Sequence, residues 1–145
     1  MNYQDIAKAK AETKNKNKQT LCAIMEALGI TSLEVEFDGS GDSGQVNGVN
    51  VYPQGKQTAF EQIQTKVFRT ACFYSSAGNR IEEQEEECAA DDLAADFAYD
   101  VLEFKHSGWE INDGAFGTIV INANGSGRID YNQRITETEY EESEF

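Results

Sequence analysis

Cysteine, proline, histidine and tryptophan are all scarce in this 145-residue chain, which holds three, one, one and one of them. The cysteines, Cys22, Cys72 and Cys88, are odd in number, far apart and without a CxxC pair, so neither a disulfide framework nor a zinc knuckle is indicated. That usage suits a reducing compartment, and a cytoplasmic location is expected. With His106 the only histidine and no Gly-Lys phosphate loop, neither a catalytic triad nor a P-loop is indicated. No apolar run approaches the roughly 20 residues that span a bilayer, and the basic start is not followed by an apolar stretch or a cleavage site.

Acid is what the chain has in quantity. It carries 26 Asp and Glu against 12 Lys and Arg, a formal net charge of -14. The distribution is lopsided: residues 82–145 hold three basic residues against eighteen acidic ones, whereas residues 1–30 are slightly basic. Such a half repels nucleic acid and anionic membranes and attracts a basic protein surface, with steering that fades in salt. The composition is still that of a folding chain, 39% apolar with eight Phe and six Tyr. At this length a single domain over residues 1–145 buries roughly two thirds of its unfolded surface.

Leu21, Ile24, Met25 and Leu28 recur at spacings of three and four, and Gly29 supplies a stop, which predicts a helix ending at Leu28. Residues 1–18 lack an apolar stripe and are expected to form an exposed or fraying helical extension, its Lys8 to Lys18 run a solvated face. Leu33, Val35 and Phe37 alternate with acids in a half-buried strand, and residues 46–52 return as its partner. Residues 58–74 suit either helix or strand, with the balance toward helix. Asn79 and Glu82 have capping-box spacing, and the glutamates that follow favour a helix N-terminus. Leu93, Phe97, Val101 and Phe104 give that expected helix its stripe, and Lys105, His106 and Gly108 end it. Alternating runs around Asn124-Gly125 predict a hairpin, which explains Asn124-Gly-Ser126 better as a turn than as a glycosylation site. The expected class is α+β, one antiparallel sheet with two or three helices on one face.

Two acidic Gly-rich segments remain, FDGSGDSGQ at 37–45 and GWEINDG at 108–114. Gly41-Asp-Ser-Gly44 has the look of a serine-protease nucleophile loop, but His106 follows it and the chain is too short for a double barrel. Asp38, Ser40 and Asp42 alternate as in metal-adhesion and calcium loops. Asp42 replaces the expected serine of the first, however, and Ser43 and Val49 replace the Gly and Glu of the second. Asx turns account for the same residues. In the second segment Trp109 is an amphipathic anchor, with Glu110, Asn112 and Asp113 presented between two glycines.

At Phe37-Asp-Gly-Ser-Gly-Asp-Ser-Gly-Gln45 and at His106-Ser-Gly-Trp-Glu-Ile-Asn-Asp-Gly-Ala-Phe-Gly117 the chain resembles a bacterial family of small acidic proteins of unknown function found on chromosomes, plasmids and phages. The resemblance extends to the helix entering His106, the hairpin and residues 134–145. Ile111 stands where the family pattern usually has Asn, and the acidic run before the helix is a departure. The resemblance implies one α+β domain with a site where the two loops meet, and its mobile-element contexts make a regulatory or host-defence role an analogy.

Two functional expectations follow. The first is a non-enzymatic interaction protein, an inhibitor of the mobile-element or phage type. Its partner-facing acids, Glu82, Glu83, Glu85, Glu86 and Glu87 with Glu137, Glu139, Glu141, Glu142 and Glu144, would occupy a basic, nucleic-acid-binding surface of another protein. It would bind no nucleic acid or membrane itself and need no cofactor. The alternative is a divalent-metal module or metal-dependent hydrolase, with Asp38, Asp42, Glu110 and Asp113 holding Mg or Ca. In either case Asp38, Ser40, Asp42, Gln45, Trp109, Glu110, Asn112 and Asp113 form the candidate binding site. Arg134 or Gln45 would compensate the crowded carboxylates.

Overall fold

A computed structural model of the chain describes residues 3–40, 43–106 and 114–134. In chain order these form α1 (Tyr3–Leu28), β1 (Ser32–Ser40), β2 (Ser43–Tyr52) and a 3-10 turn (Gln54–Lys56). There follow α2 (Gln57–Gln62), β3 (Gln64–Phe73), β4 (Arg80–Ala89), α3 (Ala90–Lys105), β5 (Ala115–Asn122) and β6 (Gly127–Gln133). Every strand pair is antiparallel, and the class is α+β. The strands divide into two sheets rather than one: four strands in the order β2-β1-β5-β6, and a separate β3-β4 ribbon.

Alternation in β1 decides where the core lies. Leu33, Val35 and Phe37 are buried on one face, and Glu34, Glu36 and Asp38 fall on the other. Leu21 and Met25 of α1 and Leu93, Phe97 and Leu102 of α3 join the buried face, together with Ile119 and Ile121 of β5. Each large aliphatic side chain so buried contributes about 1.5–3 kcal/mol. The β5-β6 hairpin turns at Asn124, whose Oδ1 accepts hydrogen bonds from the Ser126 backbone N–H at 3.0 Å and from its hydroxyl at 2.6 Å. Gly125 takes the positive φ of 88° that the turn requires.

Three expectations are corrected. The first helical stretch is not exposed throughout: residues 3–12 of α1 are exposed or half-buried as expected, but Thr13 and Asn17 are buried. Thr13, Asn17, Leu21 and Met25 recur every four residues, so the buried stripe continues with polar residues in place of apolar ones. Residues 58–74 are helical only to Gln62 and then form β3. The capping box at Asn79 and Glu82 does not form, because Arg80–Ala89 is a strand and α3 begins at Ala90. A backbone bond from Ala90 N–H to the Ile63 carbonyl, 2.9 Å, occupies one of that helix's unpaired N-terminal donors.

Side-chain amides cover two of the four sheet edges. Gln57 donates to the Val49 carbonyl at 2.9 Å and accepts from the Val51 N–H at 2.8 Å, imitating a neighbouring strand along β2. Nearby, the register between β1 and β2 shifts after Glu36, leaving Asn47 as an extra residue, and the Val46 N–H turns to the Tyr99 hydroxyl of α3 at 2.8 Å. Asn17 does the same for β3, donating to the Phe68 carbonyl at 2.9 Å and accepting from the Phe68 N–H at 2.8 Å. A 2.9 Å bond between the Thr13 and Thr70 hydroxyls extends that seam. The ribbon is therefore held to α1 along β3, and among the described residues β4 pairs with no strand but β3.

Candidate functional site

The strand register brings the described flanks of the two Gly-rich segments to one end of the four-stranded sheet. Asp38 is opposite Phe116 and Gly39 is opposite Ala115, where the second segment enters β5. Arg134, just beyond β6, clasps this end. One guanidinium nitrogen lies 2.8 Å from the Asp38 carboxylate, and another donates to the Gly39 carbonyl at 2.9 Å. The guanidinium also sits 4.8 Å from the Phe116 ring centre, and the Arg134 backbone N–H donates to the Gly114 carbonyl at 2.9 Å. One residue thus ties the exit of β1 to the start of β5. Gln45 turns instead to the Asn47 side-chain oxygen, 2.8 Å away.

Of the other expected binding residues, Ser40 ends β1 opposite Ser43, while Asp42, Trp109, Glu110, Asn112 and Asp113 lie outside the described residues. Among the described residues no group of three or more His, Cys, Asp or Glu side chains is placed to hold a metal ion. Asp38 is the one described member of the metal reading, and its carboxylate already faces the Arg134 guanidinium. A second cation there would meet like-charge repulsion.

Gly117 closes the second family-like segment, and packing accounts for it. Its φ is 157°, and a Cβ at this position would overlap the Asp130 carbonyl oxygen on β6 and press on the Phe37 ring. Beside it His106, the C-cap of α3, stacks on Tyr131 with ring centres 3.8 Å apart and planes 9° apart.

The acidic run is placed differently from the expectation. Glu82, Glu83, Glu85, Glu86 and Glu87 line β4, all exposed, and not the first turns of a helix. Several are engaged by cations: Glu83 with Lys16 of α1 at 2.6 Å, Glu85 with Lys66 of β3 at 3.2 Å, Glu86 with Arg69 of β3, and Glu82 with Arg80 at 3.5 Å. Arg69 also reaches Asp96 of α3. Exposed pairs of this kind contribute about 0–1 kcal/mol each, so they orient the glutamates without consuming their charge. Glu137, Glu139, Glu141, Glu142 and Glu144 lie outside the described residues.

Packing shifts the titration of one acid, Asp100. Its carboxyl is pushed above the usual carboxylate range, first by the protein packed around it and then by Asp96, with Lys14, Arg69 and Lys10 pulling the other way. Although much of the residue faces solvent, local crowding of the carboxyl outweighs that exposure. A carboxyl whose pKa is higher folded than unfolded stabilises the fold when protonated. Its contribution is complete below about pH 4 and is lost as pH rises through the folded value. Asp100→Asn is therefore expected to raise the thermal midpoint at pH 7, with the gain shrinking as pH falls toward 4. An equal midpoint at pH 7 would contradict this.

The three cysteines are free, and burial pushes the Cys22 and Cys88 thiols up, which disfavours the thiolate that a nucleophile needs. Among the described residues no helix is long and apolar enough to cross a membrane.

The chain belongs to a family of unknown function, DUF6878, which it matches over residues 13–145. No curated protein and no solved structure matches it.

Proposed function

We propose that this member of the DUF6878 family is a non-enzymatic interaction protein that lays the acidic outer edge of β4 against a basic surface of a partner protein. Occupation of that surface would exclude nucleic acid from it, which makes the protein an inhibitor. The observation that carries the reading is the state of β4. Its ten residues include five exposed glutamates, and among the described residues only β3 pairs with it. Open strand edges invite pairing with other chains, and charge is the usual guard against it. A row of glutamates repels a second copy of the same edge but admits a segment rich in Lys and Arg, whose backbone can extend the ribbon while its side chains meet the acids. Gln57 and Asn17 occupy backbone groups on the edges of β2 and β3, which leaves β6, seven residues long, and β4, ten residues long and the only one of the two lined with glutamates.

The test is capture of a partner by the intact protein at low and moderate salt. Glu82→Gln, Glu85→Gln and Glu87→Gln combined should reduce retention of a basic partner about tenfold, while a charge-matched control, Glu12→Gln, Glu26→Gln and Glu36→Gln, should retain it. Equal retention by both, or capture indifferent to salt, counts against the reading.

A further inference from the structure

A cavity of about 600 Å³ opens between α1, α3 and the β5-β6 hairpin, with no residue of β4 in its lining. Its lining is unexpected for this chain. Lys14 and Lys18 of α1, Lys105 of α3 and Arg128 of β6 all border it, and no Asp or Glu does, although acids outnumber bases 26 to 12 in the sequence. Lys14, Lys18 and Lys105 form no ion pair among the described residues, whereas most other cations do. The walls are apolar, from Phe97, Val101, Ile119 and Ile129. Phe104 stands at the mouth, 70% exposed, with the Lys14 ammonium 4.2 Å and the Lys105 ammonium 5.3 Å from its ring centre. A large aromatic left in water costs free energy unless something covers it.

From this we infer that the cavity binds a small organic anion with a flat aromatic body, of the nucleoside-phosphate or aryl-carboxylate kind. The size falls within the range of ligand sites, which are largely apolar with a few polar groups that fix orientation. The body packs against Phe104 and the aliphatic walls. The anionic group meets Lys14, Lys18 and Lys105; no Asp or Glu lines the cavity, and the Asp100 carboxyl acts on Lys14 from outside that lining. This site is independent of the β4 edge. It also assigns a use to the end of the lysine run that composition alone leaves as a solvated face.

The test is titration of the intact protein, followed by amide and side-chain resonances, with adenosine monophosphate, benzoate, inorganic phosphate and adenosine. The expected result is saturable shifts at Phe104, Ile119 and Ser126 with adenosine monophosphate or benzoate, and at least tenfold weaker binding of phosphate and adenosine, each of which offers only half the chemistry. Which of the two aromatic anions binds more tightly distinguishes the phosphate from the carboxylate source. Lys14→Gln with Lys18→Gln should weaken binding about fivefold, the scale expected for two partly exposed charges, while Lys14→Arg with Lys18→Arg should restore it. An unchanged thermal midpoint shows that the variants are folded. The proposal is overturned if none of the probes shifts these residues, or if the glutamine pair binds as the parent does.

Discussion

Alanine at Gly117 is expected to destabilise the protein by about 3 kcal/mol or more, because the new methyl group overlaps backbone rather than a movable side chain. The Asp130 carbonyl belongs to the β5-β6 ladder, where Thr118 pairs with Asp130 and Gly117 with Tyr131, so relief requires the strands to part. Folding free energies of small domains run to about 5–15 kcal/mol, which makes this one methyl a large fraction of the total. Urea unfolding of Gly117→Ala beside Thr118→Ala, a neighbour in the same strand, measures it. A midpoint for Gly117→Ala no lower than that of Thr118→Ala would contradict the close approach of β5 and β6.

Removal of the Asn17 amide has the second largest expected effect, and a more local one. Asn17→Ala leaves the Phe68 N–H and carbonyl without partners at a buried seam, at a cost of about 1–3 kcal/mol for each. Thr13→Ala, which removes one hydroxyl pairing with Thr70, should cost about 1 kcal/mol. Because the seam joins the ribbon to α1 and not to the larger sheet, Asn17→Ala should speed amide exchange along β3 and β4 while β1 and β5 stay protected. Uniform acceleration throughout the molecule would mean that the ribbon is not a separable unit.

Sequence pattern carried much of the larger sheet. Leu33, Val35 and Phe37 alternate because one face of β1 is buried and the other wet, and Asn124-Gly125 marks its hairpin because that turn demands a positive φ. The ribbon was hidden for a physical reason. From Glu82 to Glu87 every residue of β4 is exposed, so no alternation of apolar and polar residues exists to be read, and a run of glutamates favours a helix by intrinsic propensity. Tertiary contacts override that propensity: diagonal pairs of Lys66 with Glu85 and Arg69 with Glu86, and the anchorage of β3 on Asn17. The same anchorage hid the packing of α1, since a stripe that continues as Thr13 and Asn17 does not register as hydrophobic. At the candidate site Asp38 and its compensating Arg134 were both foreseeable as charges, but their meeting depends on β5 lying between β1 and β6, which no local pattern reveals.

That β4 is the surface presented to a partner is the central claim, and amide exchange of the captured complex tests it most directly. On partner binding at low salt, the outward-facing amides of Arg80–Ala89 should slow by at least tenfold and recover their free rates as salt rises, with β1 and β5 unchanged. Unaltered exchange along β4 in a complex that protects another surface would contradict it.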